Sequence, residues 1–296
     1  ATLYLHIGYP KTATTSLQKS IFSNISSHKI TFKGSHVTQD KDFIKNFSSS
    51  VNKGVPLANN FFTGFKNLII SCEGVISDSI RNRGYEGEFA PFNHQSVAER
   101  TSKAVLGFEG KIKIIIVLRK QTEIIHSFYT QAYTHWFSEW KELNNFRKYV
   151  TFLLNSEAGQ VFDYAYMVRT FHAQFGEKNV CVLFYEDLAN GGTRFLEELS
   201  NFMSFPLTKA IGFHNVRKME IGRKSQAMGL GDDIAKVKRK LLPTLNFGLG
   251  RMHKLMNRFT FSRPEIIPFD EASIELIYSH YSTSNIVLSE LVDRKL

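Results

Sequence analysis

Cysteine is nearly absent from this chain, with Cys72 and Cys181 the only two in 296 residues. Two thiols allow at most one disulfide, so a disulfide-stapled scaffold is excluded. Both lie in apolar, strand-like stretches, where free cysteines are usually buried and reduced. No Cys/His pair has metal-ligand spacing, so no metal is expected. Long hydrophobic runs are missing too: none approaches the roughly 18 residues that a membrane-spanning helix needs. The start does not read as a secretory leader, because His6, Gly8, Pro10 and Lys11 interrupt its apolar residues and no small-residue cleavage site follows. Internal repeats and low-complexity linkers are also lacking. These absences lead to the expectation of one cytoplasmic domain spanning 1–296, with enough apolar sequence for a large core.

Acidic residues fall far short of basic ones in one late segment. Thirteen of the 37 Lys and Arg residues but three of the 27 acidic ones fall in 206–263, leaving 24 of each sign elsewhere. The net charge of +10 is therefore the charge of that segment, which implies an anionic partner nearby. Within it Leu249, Met252, Met256 and Phe259 make an apolar stripe at helical spacing beside Arg251, Lys254 and Arg258. The stripe reads as a surface helix packing its apolar face or, through 236–260, as contact with a membrane surface or an anionic glycan. Few aromatics are interleaved there, so nucleic acid is not expected.

What is present is an alternation of strands and helices. Residues 2–8, 29–33, 67–73, 111–119 and 179–186 read as strands, and "KIKIIIVLR" (111–119) is the strongest, with the Ile/Val content of a strand covered on both faces. Residues 14–26, 96–108, 122–136, 143–155, 160–175 and 191–203 read as helices. The pattern predicts an α/β fold with a mostly parallel central sheet flanked by helices over 1–205. A basic insertion or lobe (206–269) and a closing helix (270–296) follow.

Between the first strand and first helix lies "GYPKTATTS" (8–16). A strand, a short loop and a helix N-terminus form an anion site, since free N–H groups and the helix dipole converge there. The loop is not a nucleoside-triphosphate loop: Ala13 and Thr14 stand where the second Gly and the Lys of G-x-x-x-x-G-K-[ST] belong. It has Gly8, Pro10, Lys11 and the hydroxyls of Thr12, Thr14, Thr15 and Ser16.

This stretch resembles the 5′-phosphosulfate loop of sulfotransferases that use 3′-phosphoadenylyl sulfate (PAPS), commonly P-K-[ST]-G-[ST]-[ST]. Two further motifs resemble the same family. Arg119 with Ser127 in "LRKQTEIIHSFY" is similar to its 3′-phosphate element, and "VLFYEDL" (182–188) to its Y-E-D-L element, whose tyrosine (here Tyr185) approaches the adenine. The resemblance covers residues 2 to about 204. It implies a P-loop-like sulfotransferase fold, PAPS as cosubstrate and 3′,5′-ADP as product, with Gly8, Pro10, Lys11, Thr12, Ala13, Thr14, Thr15, Arg119, Ser127 and Tyr185 at the nucleotide. A late basic pair, Arg223-Lys224 or Arg217-Lys218, completes the 3′-phosphate site.

Three departures stand out. Ala13 replaces a glycine, so its backbone takes a negative φ or accepts strain. Ser16 replaces the Trp of the phenol and steroid branch. Lys120-Gln121 replaces the usual residues after the arginine, leaving the next helix start less well capped.

The chemistry expected is in-line sulfuryl transfer, with Lys11 at the leaving bridging oxygen and Thr12 to Thr15 on the non-bridging oxygens. By resemblance to carbohydrate sulfotransferases, Glu73 is the candidate base, with His94 and His126 as rivals; His6 reads as a satisfied core residue. The acceptor is a hydroxyl on a carbohydrate or glycolipid. A P-loop kinase relative and a non-enzymatic polyanion binder using 206–263 are the alternatives.

Overall fold

Branched residues on both faces of a strand suit only a sheet covered on both sides, and that is the arrangement found. The computed structural model describes residues 1–25, 30–76, 93–133, 137, 143–207 and 267–294. Its sheet is built from β1 (Thr2–His6), β2 (Thr31–Gly34), β3 (Asn67–Ser71), β4 (Lys111–Leu118) and β5 (Val180–Phe184). The spatial order is β2-β3-β1-β4-β5, and every neighbouring pair is parallel. The period of two along each strand divides the core. Leu3, Leu5, Ile7, Ile114 and Ile116 join one apolar cluster, while Tyr4, Ile69, Ile115 and Val117 join the other.

In chain order the helices are α1 (Thr14–Ser16, running on through a wider π-helical stretch, Leu17–Phe22, to Ser23–Ile25), α2 (Lys41–Lys53), α3 (His94–Ala104), α4 (Gln121–Ala132), α5 (Phe146–Leu154), α6 (Tyr164–Phe175), α7 (Tyr185–Ala189), α8 (Thr193–Met203) and α9 (Glu271–Leu291). Helices α1, α7 and α8 cover the Tyr4 face, and the others cover the Leu3 face.

Element ends differ from the sequence reading where side chains take over. The expected helix over 160–175 begins only at Tyr164, because Asp163 accepts the Tyr166 N–H (3.0 Å) and the residues before it form a 3-10 stretch. The expected strand over 179–186 stops at Phe184, since Tyr185 already opens α7. The closing helix starts after Asp270, which caps it through the Ser273 N–H (2.9 Å). The expected basic lobe, its apolar stripe, Arg217-Lys218 and Arg223-Lys224 lie outside the described residues.

Helix α9 ties itself to the neighbouring elements by polar contacts. Tyr281 Oη donates to the Gly159 carbonyl (2.8 Å), and Asn285 Oδ1 accepts from Gln121 Nε2 (2.8 Å) at the start of α4. Beyond its end, Arg294 grips the Asp187 carboxylate and lies 4.3 Å over the Phe184 ring. Strands β2 and β3 lie on one side of β1, and β4 and β5 on the other. The connections therefore diverge at the C-terminal end of β1, the crevice where parallel α/β sheets bind ligands.

Candidate active site

The chain leaving β1 stays laced to β4. Ile7 N–H donates to the Ile115 carbonyl (3.2 Å), Tyr9 N–H to Val117 O (3.1 Å), and Val117 N–H to Gly8 O (2.9 Å). Gly8 has φ +133°, a backbone that side-chain-bearing residues rarely adopt. Lys11 (φ +69°) and Ala13 (φ +61°) are both left-handed. Of the two options the sequence left for Ala13, the strained one is realised. The physical return is a nest: a left-handed Ala13 followed by helical Thr14 turns successive N–H groups toward one concavity at the start of α1.

The hydroxyls of the loop do not all face that concavity. Thr12 Oγ1 donates to the Tyr9 carbonyl (2.6 Å) and Thr14 Oγ1 to the same oxygen (3.3 Å), and both residues are buried. A hydroxyl has one hydrogen, so these two staple the loop instead of offering their hydrogens to a ligand. Thr15 is exposed and Lys11 half-buried at the mouth.

Arg119 follows β4 and is 8% exposed. Its Nε and Nη2 donate to Glu123 Oε2 (3.2 and 2.7 Å), and its Nη1 donates to the Lys11 carbonyl (3.1 Å). The guanidinium lies 4.6 Å from the Tyr185 ring centre. One fork thus joins the phosphosulfate-like loop, α4 and α7, with charge-assisted bonds and a cation–π contact. Tyr185 is stacked beneath Arg119 and 5% exposed. Its neighbours have separate tasks: Glu186 Oε1 accepts the Lys120 N–H (2.9 Å), capping the α4 turn that its own sequence leaves uncapped, and Asp187 holds Arg294. Ser127 is half-buried on α4, two turns beyond Arg119.

On the other side of β1, Glu73 is half-buried two residues past the end of β3. Its carbonyl would lie 3.8 Å from a Cβ built on Gly8, so it borders the loop. Beneath it runs a polar ladder. His6 Nδ1 meets Ser71 Oγ (2.7 Å), and Gln18 Nε2 donates to that Oγ (2.8 Å) and to Ser35 Oγ (3.2 Å). Gln18 Oε1 accepts the His36 N–H (3.1 Å), and His36 Nε2 stands 2.9 Å from Thr15 Oγ1. His6 is only half satisfied, contrary to the sequence reading, because its buried Nε2 has no hydrogen-bond partner among the described residues; burial lowers its pKa to about 4.

The rival histidines are core residues. His94 Nε2 bonds the Gln160 carbonyl (2.7 Å), and burial lowers its pKa to about 4. His126 Nε2 bonds the Ile267 carbonyl (3.1 Å) between Phe146 and Phe269, and burial lowers its pKa as well. A carbonyl partner requires N–H at that nitrogen, and the remaining Nδ1 of each is buried. Neither is presented to the crevice as a base.

With this geometry in view, the comparisons carry weight. A sulfotransferase-domain family model matches residues 4–228, more than half of the chain. The chain belongs to the sulfotransferase family. It is therefore a sulfuryl-transferring enzyme, of a family whose general cosubstrate is PAPS, and the kinase alternative loses its support. The enzyme also matches the crystal structure of a sulfotransferase from Alicyclobacillus acidocaldarius, with a TM-score of 0.50 and 14% identity over 99% of this chain and 96% of that one. At that identity the likeness concerns the fold. No curated protein matches the sequence significantly.

Several residues in this geometry were not singled out from sequence. Glu123 carried a legible signal, an acid four residues after Arg119 on a helix. Gln18 and His36 carried none, because their partners come from other elements, and Glu186 stood in the Y-E-D-L motif with no role of its own. Among the described residues no group of His, Cys, Asp and Glu could hold a metal, and no helix is long and apolar enough to cross a membrane.

Proposed function

We propose that the enzyme transfers the sulfuryl group of PAPS to a hydroxyl of a carbohydrate or glycolipid, releasing 3′,5′-ADP. The observation that carries the reading is the junction of loop and fork: a nest at Ala13–Thr14 whose Lys11 carbonyl is held by Arg119. A ligand with phosphate groups at both ends of a ribose suits two anion-binding elements joined at one residue. PAPS supplies an activated sulfuryl group whose leaving group is a phosphate.

In this reading the α1 N–H groups and Thr15 bind the 5′-phosphosulfate, and Lys11 neutralises charge that develops on the leaving phosphate oxygen. Arg119, with Ser127 on the helix that follows it, binds the 3′-phosphate, and Tyr185 backs the guanidinium. The acceptor oxygen forms its bond to sulfur as the sulfur–oxygen bond to phosphate breaks, in line and through a loose transition state. Glu73 takes the acceptor proton. Its place beside Gly8, on the β3 side of the loop, supports this role. The carbohydrate assignment draws on Glu73, on Ser16 in place of Trp, and on the basic character of 236–260 as an anionic glycan or membrane-surface contact.

Titration calorimetry with 3′,5′-ADP is expected to give binding that needs no Mg²⁺ and is lost in Arg119→Ala. Binding of ATP·Mg²⁺ but not of 3′,5′-ADP would refute the nucleotide assignment. Release of 3′,5′-ADP from PAPS, measured across glycan, glycolipid, phenol and peptide acceptors, identifies the acceptor class. Faster turnover on a phenol would overturn the carbohydrate assignment.

A further inference from the structure

Thr15 is the loop threonine whose hydroxyl is not spent on the Tyr9 carbonyl, and the atom beside it is His36 Nε2 at 2.9 Å. Several elements cooperate to bring that imidazole there. Gln18, 1% exposed, reaches from α1 into the sheet edge, where it donates to Ser71 Oγ on β3 and accepts the His36 backbone N–H. Ser71, 0% exposed, is in turn fixed by His6 on β1. Gly34, just before, leaves room for this: a Cβ there would fall 2.9 Å from Gln18 Oε1. A buried ladder spanning β1, β3 and α1 thus sets the position of an exposed histidine relative to one hydroxyl.

The direction of the His36–Thr15 hydrogen bond matters for any anion in the nest. If Thr15 donated to the imidazole, its single hydrogen would be used and its lone pairs would face the anion. If Nε2–H donates to Thr15 Oγ1, the hydroxyl hydrogen is left to point at a phosphosulfate oxygen. We propose that His36 is a positioning residue for the donor substrate: its Nε2–H holds Thr15 Oγ1 so that the Thr15 hydroxyl donates to the 5′-phosphosulfate. This rests on the assignment of the α1 loop to PAPS. His36 acts through Thr15 and touches no reacting atom.

A double-mutant cycle read by calorimetry tests it, using 3′,5′-ADP as the probe and 3′-AMP, which lacks the 5′-phosphate, as the control. His36→Ala and Thr15→Val are each expected to weaken 3′,5′-ADP binding about tenfold, as for loss of one hydrogen bond to a charged group. The double variant should be no weaker than either single one. His36→Gln, whose amide N–H can replace Nε2–H, should retain most of the affinity. Binding of 3′-AMP should not change, and thermal midpoints should stay close to wild type because both side chains are exposed. Independent, multiplying losses in the double variant, or unchanged affinity in His36→Ala, would overturn the proposal while leaving the PAPS assignment standing. Equal weakening toward 3′-AMP would also overturn it, since the effect would then be general. Absence of 3′,5′-ADP binding in the wild type would overturn both.

Discussion

Replacing Gly34 by alanine tests the packing beneath the candidate site. A Cβ at position 34 would lie 2.3 Å from Phe32 Cζ and 2.9 Å from Gln18 Oε1. Neither neighbour yields freely: Phe32 is 8% exposed with its ring 5.7 Å from that of Phe22, and Gln18 Oε1 holds the His36 N–H. Overpacking of this kind costs about 1–3 kcal/mol, and losing the Gln18–His36 bond adds about 1 kcal/mol. The sum is about 2–4 kcal/mol. At about 2 °C per kcal/mol for a chain of this length, the unfolding midpoint should fall by about 4–8 °C. Gly107→Ala is the matched control. None of the described residues lies within 4 Å of its added Cβ and its backbone is not left-handed, so it should be neutral or stabilising by up to about 1 kcal/mol. Urea unfolding of both variants, with m-values checked for equality, measures the difference. Should Gly34→Ala fall within about 0.5 kcal/mol of Gly107→Ala, the account of Gln18 as a fixed strut would be wrong.

Other outcomes follow from the buried and charged groups. His6 and His94 stay neutral in the folded protein to about pH 4 but take up protons near pH 6.5 when unfolded, so their stabilisation is full above pH 6.5 and is lost as pH falls toward 4. Each should cost about 2 kcal/mol by pH 5; urea unfolding at pH 7 and pH 5 reads the change, and equal stabilities would contradict it. Glu123→Gln removes a negative charge that shares the Arg119 fork, so 3′,5′-ADP should bind several-fold more tightly in calorimetry; weaker binding would mean that Glu123 chiefly orients the fork. Glu73→Gln should retain 3′,5′-ADP affinity yet lose at least about 100-fold in turnover, the usual scale of general-base catalysis. Retained turnover would place the base elsewhere.

How much of this could be read from the sequence varied with the range of the interactions. The central strand over 111–118 was legible because it is an Ile/Val-rich run whose burial on both faces needs no knowledge of partners. The loop after β1 was legible because Pro10, Lys11 and the threonines are contiguous. The fate of each hydroxyl was not, because it depends on the left-handed turns at Lys11 and Ala13 that carry Thr12 and Thr14 onto the Tyr9 carbonyl. Tyr185 read as part of a strand because "VCVLFY" is continuous in type, yet the helix takes over there. The histidines show the same limit. His94 and His126 are distinguished from His36 by the carbonyls of Gln160 and Ile267, 66 and 141 residues away.

The 3-10 stretch Glu157–Phe162 and the residues after it touch both the loop after β1 and Arg119. Val161 O receives the Tyr9 hydroxyl from the loop, and Tyr164 Oη donates to the Arg119 carbonyl (2.8 Å). One short strap thus braces the two halves of the proposed donor site, much as a jig holds two workpieces at a set spacing. For redesign, the acceptor side can be recut while this strap and its two tyrosines are left alone. Conversely, a lesion in the strap should blunt every acceptor equally, a signature that separates it from a change in acceptor preference.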